Sequence, residues 1–209
     1  MNISLNEVEA TAKRATRGAG YSWGLAEEAA KATRWLCARG QNGTGALARL
    51  LQMVMADAPK QRAPTDLSGD WHSDELLCPL VTGALLSDCA IRVNSSAITM
   101  SNVAVPVLLL PFAANAARLL DTRVTIECDG IIAETDGLDL TLNGPIPDQA
   151  KHVSVHLGGR LANAVPHHTR AEPSPTDWST LNRFAQNTYA PATEESRLRG
   201  AGAGLSDND

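Results

Sequence analysis

Hydrophobic residues in the first third of the chain recur every three or four positions, the period of an amphipathic α-helix. Three helices are therefore predicted within residues 1–58. Ser4 and Glu7 form a capping box at the start of the first helix. Ser22 caps the second, which ends near Gly40, and the third begins at Thr44. The predicted buried faces are Leu5, Val8, Ala12 and Ala15 in the first, Leu25, Ala29, Ala32 and Leu36 in the second, and Leu47, Leu50, Leu51 and Val54 in the third. On the exposed face of the second helix, Glu27 and Lys31 are spaced to form an ion pair.

The pattern changes after the third helix. Residues 59–75 are polar, contain two prolines and are predicted to form a linker. A short helix is expected from Pro79 to Leu86, and another from Pro111 to Leu120, because proline suits the first position of a helix. Between them, residues 91–100 and 102–110 are predicted as two strands, and Pro106 places the second at a sheet edge or in a bulge.

Strict alternation of apolar and polar residues begins at residue 123 and predicts half-buried strands up to residue 157. The pairs Asp129-Gly130, Asp136-Gly137 and Asn143-Gly144 are typical of tight turns. Strands joined so closely must run antiparallel. The segment therefore predicts a β-meander with one apolar face, on which the N-terminal helices pack.

The remaining residues, 161–209, are predicted to be an extension of one domain that covers residues 1–209, whose mixed α/β part spans residues 76–160. Three prolines precede a helix expected from Thr176 to Tyr189, with Trp178 and Leu181 inward. A last short helix is expected near Thr193, followed by an ordered glycine-rich tail. The predicted fold class is α+β.

Composition narrows the function classes. The 209 residues are 44% hydrophobic and 20% charged, with a net charge of −5. Scattered Lys and Arg residues in an acidic chain argue against nucleic-acid binding. The longest apolar run, residues 103–112, is too short to span a bilayer. Four cysteines without a paired spacing and the lack of a signal peptide predict a cytoplasmic protein with free thiols.

A first candidate site lies at the glycine-rich corner before the second helix. Residues 20–24 read G-x-S-x-G, the pattern of a hydrolase nucleophile, but a helix rather than a strand precedes Ser22, and an ordinary N-cap explains it. Backbone N–H groups at a helix start favour anions. The candidate ligand-binding residues of this corner are Arg14, Arg17, Gly18, Gly20 and Ser22. The alternative is that two helices merely need a tight glycine turn.

Two further candidates involve cysteine and histidine. Cys78 lies at the start of a predicted helix, and His72 is close enough in sequence to act as its base, which makes them the candidate catalytic pair. The alternative for Cys78 is a small buried hydrophobe.

His152 and His156 share the polar side of a strand about 13 Å apart, too far to bind one metal ion together. They are instead a candidate ligand-binding surface. A metal site that uses one of them with His167 or His168 is the less favoured alternative, and no metal or cofactor is predicted.

The stretches SLNEVE (residues 4–9), RGAGYSWGLAEE (17–28) and RGAGAGLSDND (199–209) resemble a bacterial family of unknown function. The resemblance implies a stand-alone protein and carries no catalytic residues. Residues 20–45 are also faintly similar to the opening helices of the malate/lactate/ureidoglycolate dehydrogenase family. That family has Ser-His-Gly with a catalytic His where this chain has Gly43-Thr44-Gly45, so its chemistry does not carry over.

These observations favour a small-molecule-binding or accessory protein of metabolism that forms a homo-oligomer and takes a small anionic ligand. The first alternative is a small-molecule enzyme of the thiol- or histidine-dependent hydrolase or lyase type. The second is a structural interaction module.

Overall fold

The computed structural model describes residues 1–53, 61–93 and 96–189. The helices within these ranges are α1 (Leu5–Gly18), α2 (Trp23–Ala38), α3 (Gly43–Gln52), α4 (Pro79–Asp88), α5 (Ala90–Val93), α6 (Leu110–Leu119) and α7 (Pro175–Gln186). The strands are β1 (Ile3–Ser4), β2 (Asp70–Trp71), β3 (Ile98–Ala104), β4 (Val124–Cys128), β5 (Ile131–Thr135), β6 (Leu140–Leu142), β7 (Gln149–Leu157) and β8 (Arg170–Ala171). The predicted α+β class is confirmed.

Short polar side chains set the starts of the N-terminal helices, as the sequence predicted for the first two. The Ser4 hydroxyl accepts the Glu7 N–H at 3.1 Å, and the Ser22 hydroxyl accepts the Leu25 N–H at 3.3 Å. The third helix starts one residue earlier than expected because the side-chain oxygen Oδ1 of Asn42, which accepts the Gly45 N–H at 2.9 Å, provides the cap.

The C-terminal helix α7 packs against α1 and α3. Ser174 caps α7, and Trp178 and Leu181 lie inward as predicted. The contact with α1 is close enough that a Cβ atom built on Gly18 would lie 1.9 Å from the Phe184 carbonyl oxygen. The glycine of the predicted corner therefore serves helix packing.

The main sheet has six strands in the order β2-β3-β7-β4-β5-β6. Strands β4, β5 and β6 form the predicted antiparallel hairpins. Strand β7 lies between β3 and β4 instead of continuing the meander beside β6. The length of β7, nine residues against three in β6, explains this order, because a long strand with a buried face gains most at the centre of a sheet.

The two faces of the sheet differ as the alternation predicted. Helix α6 packs against β4 and β5. The fully or almost fully buried residues of one face include Val124, Ile126, Cys128, Val153 and Val155. The opposite face carries Thr99, Glu127, His152, Ser154 and His156 at the intervening positions. Such a polar face can hold side chains for binding without loss of core packing.

Three local predictions were wrong. In the described part of this region, Ala90–Val93 form α5, Ile98–Ala104 form the single strand β3 and Pro106–Leu109 form a 3₁₀ helix, where two strands were expected over residues 91–100 and 102–110. Asn102 adopts a positive φ of 56° inside β3 yet leaves the register with β7 unbroken, so the strand runs through the expected break. The ion pair expected between Glu27 and Lys31 is replaced by two others, Lys13–Glu27 at 2.6 Å and Lys31–Glu28 at 2.8 Å.

The predicted linker contains a short strand as well. Strand β2 pairs in parallel with β3, and its Trp71 is fully buried. Four predictions lie outside the described residues: those for Val54, the start of the linker, the helix at Thr193 and the ordered tail. In the described ranges, every helix is too short or too polar to cross a membrane.

The glycines of the first corner allow a matched test of packing. We expect Gly18→Ala to lower the free energy of unfolding by about 1–3 kcal/mol, because the added methyl group meets the backbone of α7. Gly24→Ala, whose new Cβ would have no neighbour within 4 Å, should raise it by up to about 1 kcal/mol through helix propensity. Denaturant unfolding of both variants measures this. Equal effects of the two substitutions would contradict the packing described here.

Candidate functional site

The basic residues of the predicted glycine corner are already engaged. The Arg14 guanidinium donates to the Tyr189 hydroxyl at 2.6 Å. The Arg17 guanidinium donates to the Tyr21 carbonyl oxygen at 3.0 Å and lies 5.3 Å from the centre of the Trp23 ring. The protein thus holds each guanidinium group in place, while each keeps further N–H groups.

The remaining residues of the corner have structural contacts. Gly20 has a φ of 103°, which a residue with a side chain rarely adopts, and it closes the turn between α1 and α2. The hydroxyl of Ser22 is used by the N-cap of α2. Ligand binding at this corner stays a prediction, and the helix-to-helix turn explains its glycines.

Cys78 and His72 are not joined by a hydrogen bond. The Cys78 thiol is fully buried at the start of α4 and lies 3.5 Å from the Tyr21 hydroxyl. Burial raises the pKa of Cys78. His72 is exposed, and its Nδ1 donates to the Asp70 carbonyl oxygen at 2.9 Å. The catalytic roles of these two residues stay a prediction that the geometry does not favour.

His152 and His156 both lie on the polar face of the sheet, as predicted. His152 lines a cleft of about 370 Å³ there, and His156 does not. Three carboxylates, those of Asp70, Glu127 and Asp129, surround His152 in this cleft. Asp129 accepts the backbone N–H groups of Lys151 and His152 and is thereby fixed. An acidic cleft of this kind does not suit an anionic ligand.

The two adjacent histidines, His167 and His168, face different surroundings. His167 Nε2 lies 2.9 Å from an oxygen of Asp139, with which it forms an ion pair when protonated. His168 lines a separate cleft. Within the described part of the chain, no three side chains of His, Cys, Asp or Glu are placed to share a metal ion.

That separate cleft has a volume of about 650 Å³, compared with about 360–510 Å³ for four others. We call it the corner cleft. Its walls are the turn from α2 into α3 (Gly40, Gln41, Asn42 and Thr44), the N-terminal Asn2, and residues 168–174. Residues that are far apart in the chain therefore meet at one place.

Backbone contacts hold the walls of the corner cleft together. Gly40 ends α2 with a φ of 66°, and a Cβ atom there would lie 3.0 Å from His168 Nε2. The His168 N–H donates to the Ala38 carbonyl oxygen at 2.7 Å. The opposite wall is fixed by pairing of β1 with β8 and by the Arg170 Nη2 group, which donates to the Asn2 carbonyl oxygen at 3.0 Å.

The corner cleft is rich in hydrogen-bonding groups. The starts of α3 and α7 both border it, through Asn42 and Ser174. Because a helix N-terminus carries positive partial charge, both helix starts add positive potential to the border of the cleft. Arg170 adds a full positive charge, and Glu172 is the one carboxylate among the lining residues.

Cys37 also lines the corner cleft and is 5% exposed. Burial raises the pKa of its thiol, while the N–H groups of Thr44 and Gly43 act in the opposite direction. A thiol so placed is neutral near pH 7.

The sequence indicated only part of the corner cleft. It pointed to His168 only as a metal ligand and gave no role to Cys37, Asn42 or Arg170. The N-cap pattern at Asn42 was the one available signal.

The fold and the cleft define an α+β protein with a polar cleft between its helical layer and its C-terminal segment. Residues 3–94 match the family model described as protein of unknown function (DUF3726). The predicted resemblance to a family of unknown function is confirmed over these residues, which include the first two stretches that suggested it. Neither the curated proteins nor the solved structures contain a match.

The thiols provide a test of the site geometry. We expect Cys89, the partly exposed thiol, to react first with iodoacetamide in the native protein. Cys37, Cys78 and Cys128 should react slowly at pH 7 and faster as the pH rises, because burial raises the pKa of each, that of Cys128 to about 12. Mass spectrometry of timed samples measures the order. Fast labelling of Cys78 would instead support the predicted reactive thiol.

Proposed function

We propose that this protein binds a small polar molecule that carries a carboxylate or phosphate, and that the corner cleft is its site. The observation that carries the proposal is the convergence of two helix N-termini, Arg170 and His168 on one cleft of about 650 Å³. This volume lies within the range of about 300–1,000 Å³ that is usual for small-molecule sites.

The hydrogen-bond donors at the cleft support an anion over a cation, since the formal charges of Arg170 and Glu172 cancel. Donors dominate its lining: the guanidinium of Arg170, the amides of Asn2 and Gln41, and the N-termini of α3 and α7. None of the five clefts compared above is lined by Arg14, Arg17 or the glycines of the first corner, and the cleft at His152 has three carboxylates. The corner cleft is thus the better place for the predicted anionic ligand.

A thiol-dependent enzyme is a second candidate, favoured by one observation: Cys37 and His168 line the same cleft. Such chemistry needs an ionised thiol, and burial opposes ionisation of Cys37. Binding without covalent chemistry therefore fits the site better. An interaction module is less supported, because the exposed large hydrophobic residues of the described chain are spread over different elements, such as Trp23 on α2, Ile91 on α5 and Ile132 on β5.

Two adjacent histidines offer a matched test. We expect His168→Ala to weaken binding about tenfold or more, since it removes a donor from the cleft, while His167→Ala leaves binding unchanged. Thermal-shift screening of the full chain against small carboxylates and phosphate esters would first identify a ligand, whose affinity calorimetry then measures in both variants.

The proposal fails if no compound stabilises the protein and if denaturation of the purified protein releases no bound anion. Equal affinities of the two histidine variants would place the site elsewhere. Formation of a homo-oligomer, which the proposal does not require, is checked by light scattering on the same samples.

A further inference from the structure

Arg39, at the C-terminal end of α2, is a buried cation whose hydrogen-bond partners are all uncharged. It is 8% exposed. Its Nε donates to the Leu138 carbonyl oxygen at 2.9 Å, its Nη2 donates to the same oxygen, and its Nη1 donates to the Trp35 carbonyl oxygen at 3.2 Å. The guanidinium also lies 4.0 Å from the centre of the Trp35 ring. Buried charges are normally paired, so this arrangement calls for a source of negative charge.

Arg118, on α6, brings a second positive charge to the same place. Its side chain packs over Gly137, where a Cβ atom would lie 2.1 Å from Arg118 Cγ, and its Nη2 donates to the Asn115 side-chain oxygen. In the described parts of the chain, neither Arg39 nor Arg118 lies within 4.0 Å of a carboxylate oxygen.

The two arginines are close enough to repel each other. Burial lowers the pKa of Arg39, Asp139 opposes this, and the charge of Arg118 lowers it further. Asp136 also acts to raise it. Both carboxylates also have other contacts: Asp139 lies 2.9 Å from His167 Nε2, and Asp136 accepts the N–H groups of Leu138 and Asp139.

Both arginines line a cleft of about 360 Å³ between α2 and α6, which we call the interhelix cleft. Its apolar part includes Trp35, Pro111 and Phe112. The two other cations on its rim are already paired, Lys31 with Glu28 at 2.8 Å and Arg34 with Glu9 at 2.7 Å. Four cationic and two acidic residues line the cleft, so 4 − 2 leaves two positive charges, those of Arg39 and Arg118.

We propose that the interhelix cleft is a second binding site, for a small organic phosphate or carboxylate whose oxyanion lies between Arg39 and Arg118 and whose apolar part contacts Trp35. Guanidinium groups bind such oxyanions with charge-assisted hydrogen bonds, and an apolar wall adds contact area. This site shares no lining residue with the corner cleft and does not depend on the function proposed for it.

Arg39 also has a structural role, because it binds the turn before β6 through Leu138. Its substitution would mix loss of binding with loss of stability. Arg118 is exposed and is the better residue to change. Arg183, an exposed arginine on α7 outside both clefts, provides a control with the same change of charge.

The test is calorimetric titration of the full chain with phenyl phosphate and, separately, with inorganic phosphate. We expect phenyl phosphate to bind more tightly, because it combines the oxyanion with an apolar ring. Arg118→Gln should weaken its binding about tenfold or more, Arg118→Lys should weaken it less, and Arg183→Gln should leave it unchanged. Circular dichroism confirms that each variant is folded.

Absence of binding by the unaltered protein at millimolar phenyl phosphate would overturn the proposal. So would equal effects of Arg118→Gln and Arg183→Gln, which would show a general effect of charge. The variant His168→Ala, which alters the corner cleft and not the interhelix cleft, tells the two sites apart. A loss in that variant, with Arg118→Gln unaffected, would place phenyl phosphate in the corner cleft and overturn the second site while supporting the first.

Discussion

The last turn of α2 is the junction on which the rest of the structure depends. The Arg39 guanidinium binds the Leu138 carbonyl oxygen and so fixes the turn before β6. One residue earlier, the Ala38 carbonyl oxygen accepts the His168 N–H and fixes the C-terminal segment. One residue later, Gly40 takes a positive φ and turns the chain into α3. Three consecutive residues thereby connect the helical layer, the sheet and the C-terminal segment.

Both clefts adjoin this junction. The corner cleft lies on the side of Gly40 and His168, and the interhelix cleft lies on the side of Arg39 and Arg118. The Ala38 carbonyl group and the positive φ of Gly40 are features of the backbone. The backbone therefore sets part of the geometry of the corner cleft. A rigid backbone frame of this kind reduces the loss of entropy on ligand binding.

Local sequence patterns predicted the features that depend on interactions between residues close together in the chain. The serine N-caps, the apolar faces of the helices and the alternation in β4 all follow from short-range rules, and the structure agrees with them. The position of β7 beside β4 was not predictable in this way, because it results from competition between strands far apart in the chain. The break expected near residue 101 was wrong, because β3 runs through it with its register intact and accommodates Asn102 at a positive φ.

The candidate sites show the same limit more strongly. The corner cleft joins Asn2, residues 40–44 and residues 168–174, which no spacing in the sequence relates. Arg39 resembled an ordinary residue at a helix end, a position that favours cations, and its burial appears only in the folded chain. The sequence named His168 and a small anionic ligand, but it placed the ligand at Arg14 and Arg17.

Hydrogen exchange of an Arg39→Met variant tests the junction most directly. If the junction holds the parts together, amide protection should fall in residues 136–140 and at His168, while α1 and α7, which pack on each other, keep theirs. Unchanged protection in both regions of the variant, compared with the unaltered protein, would contradict this account.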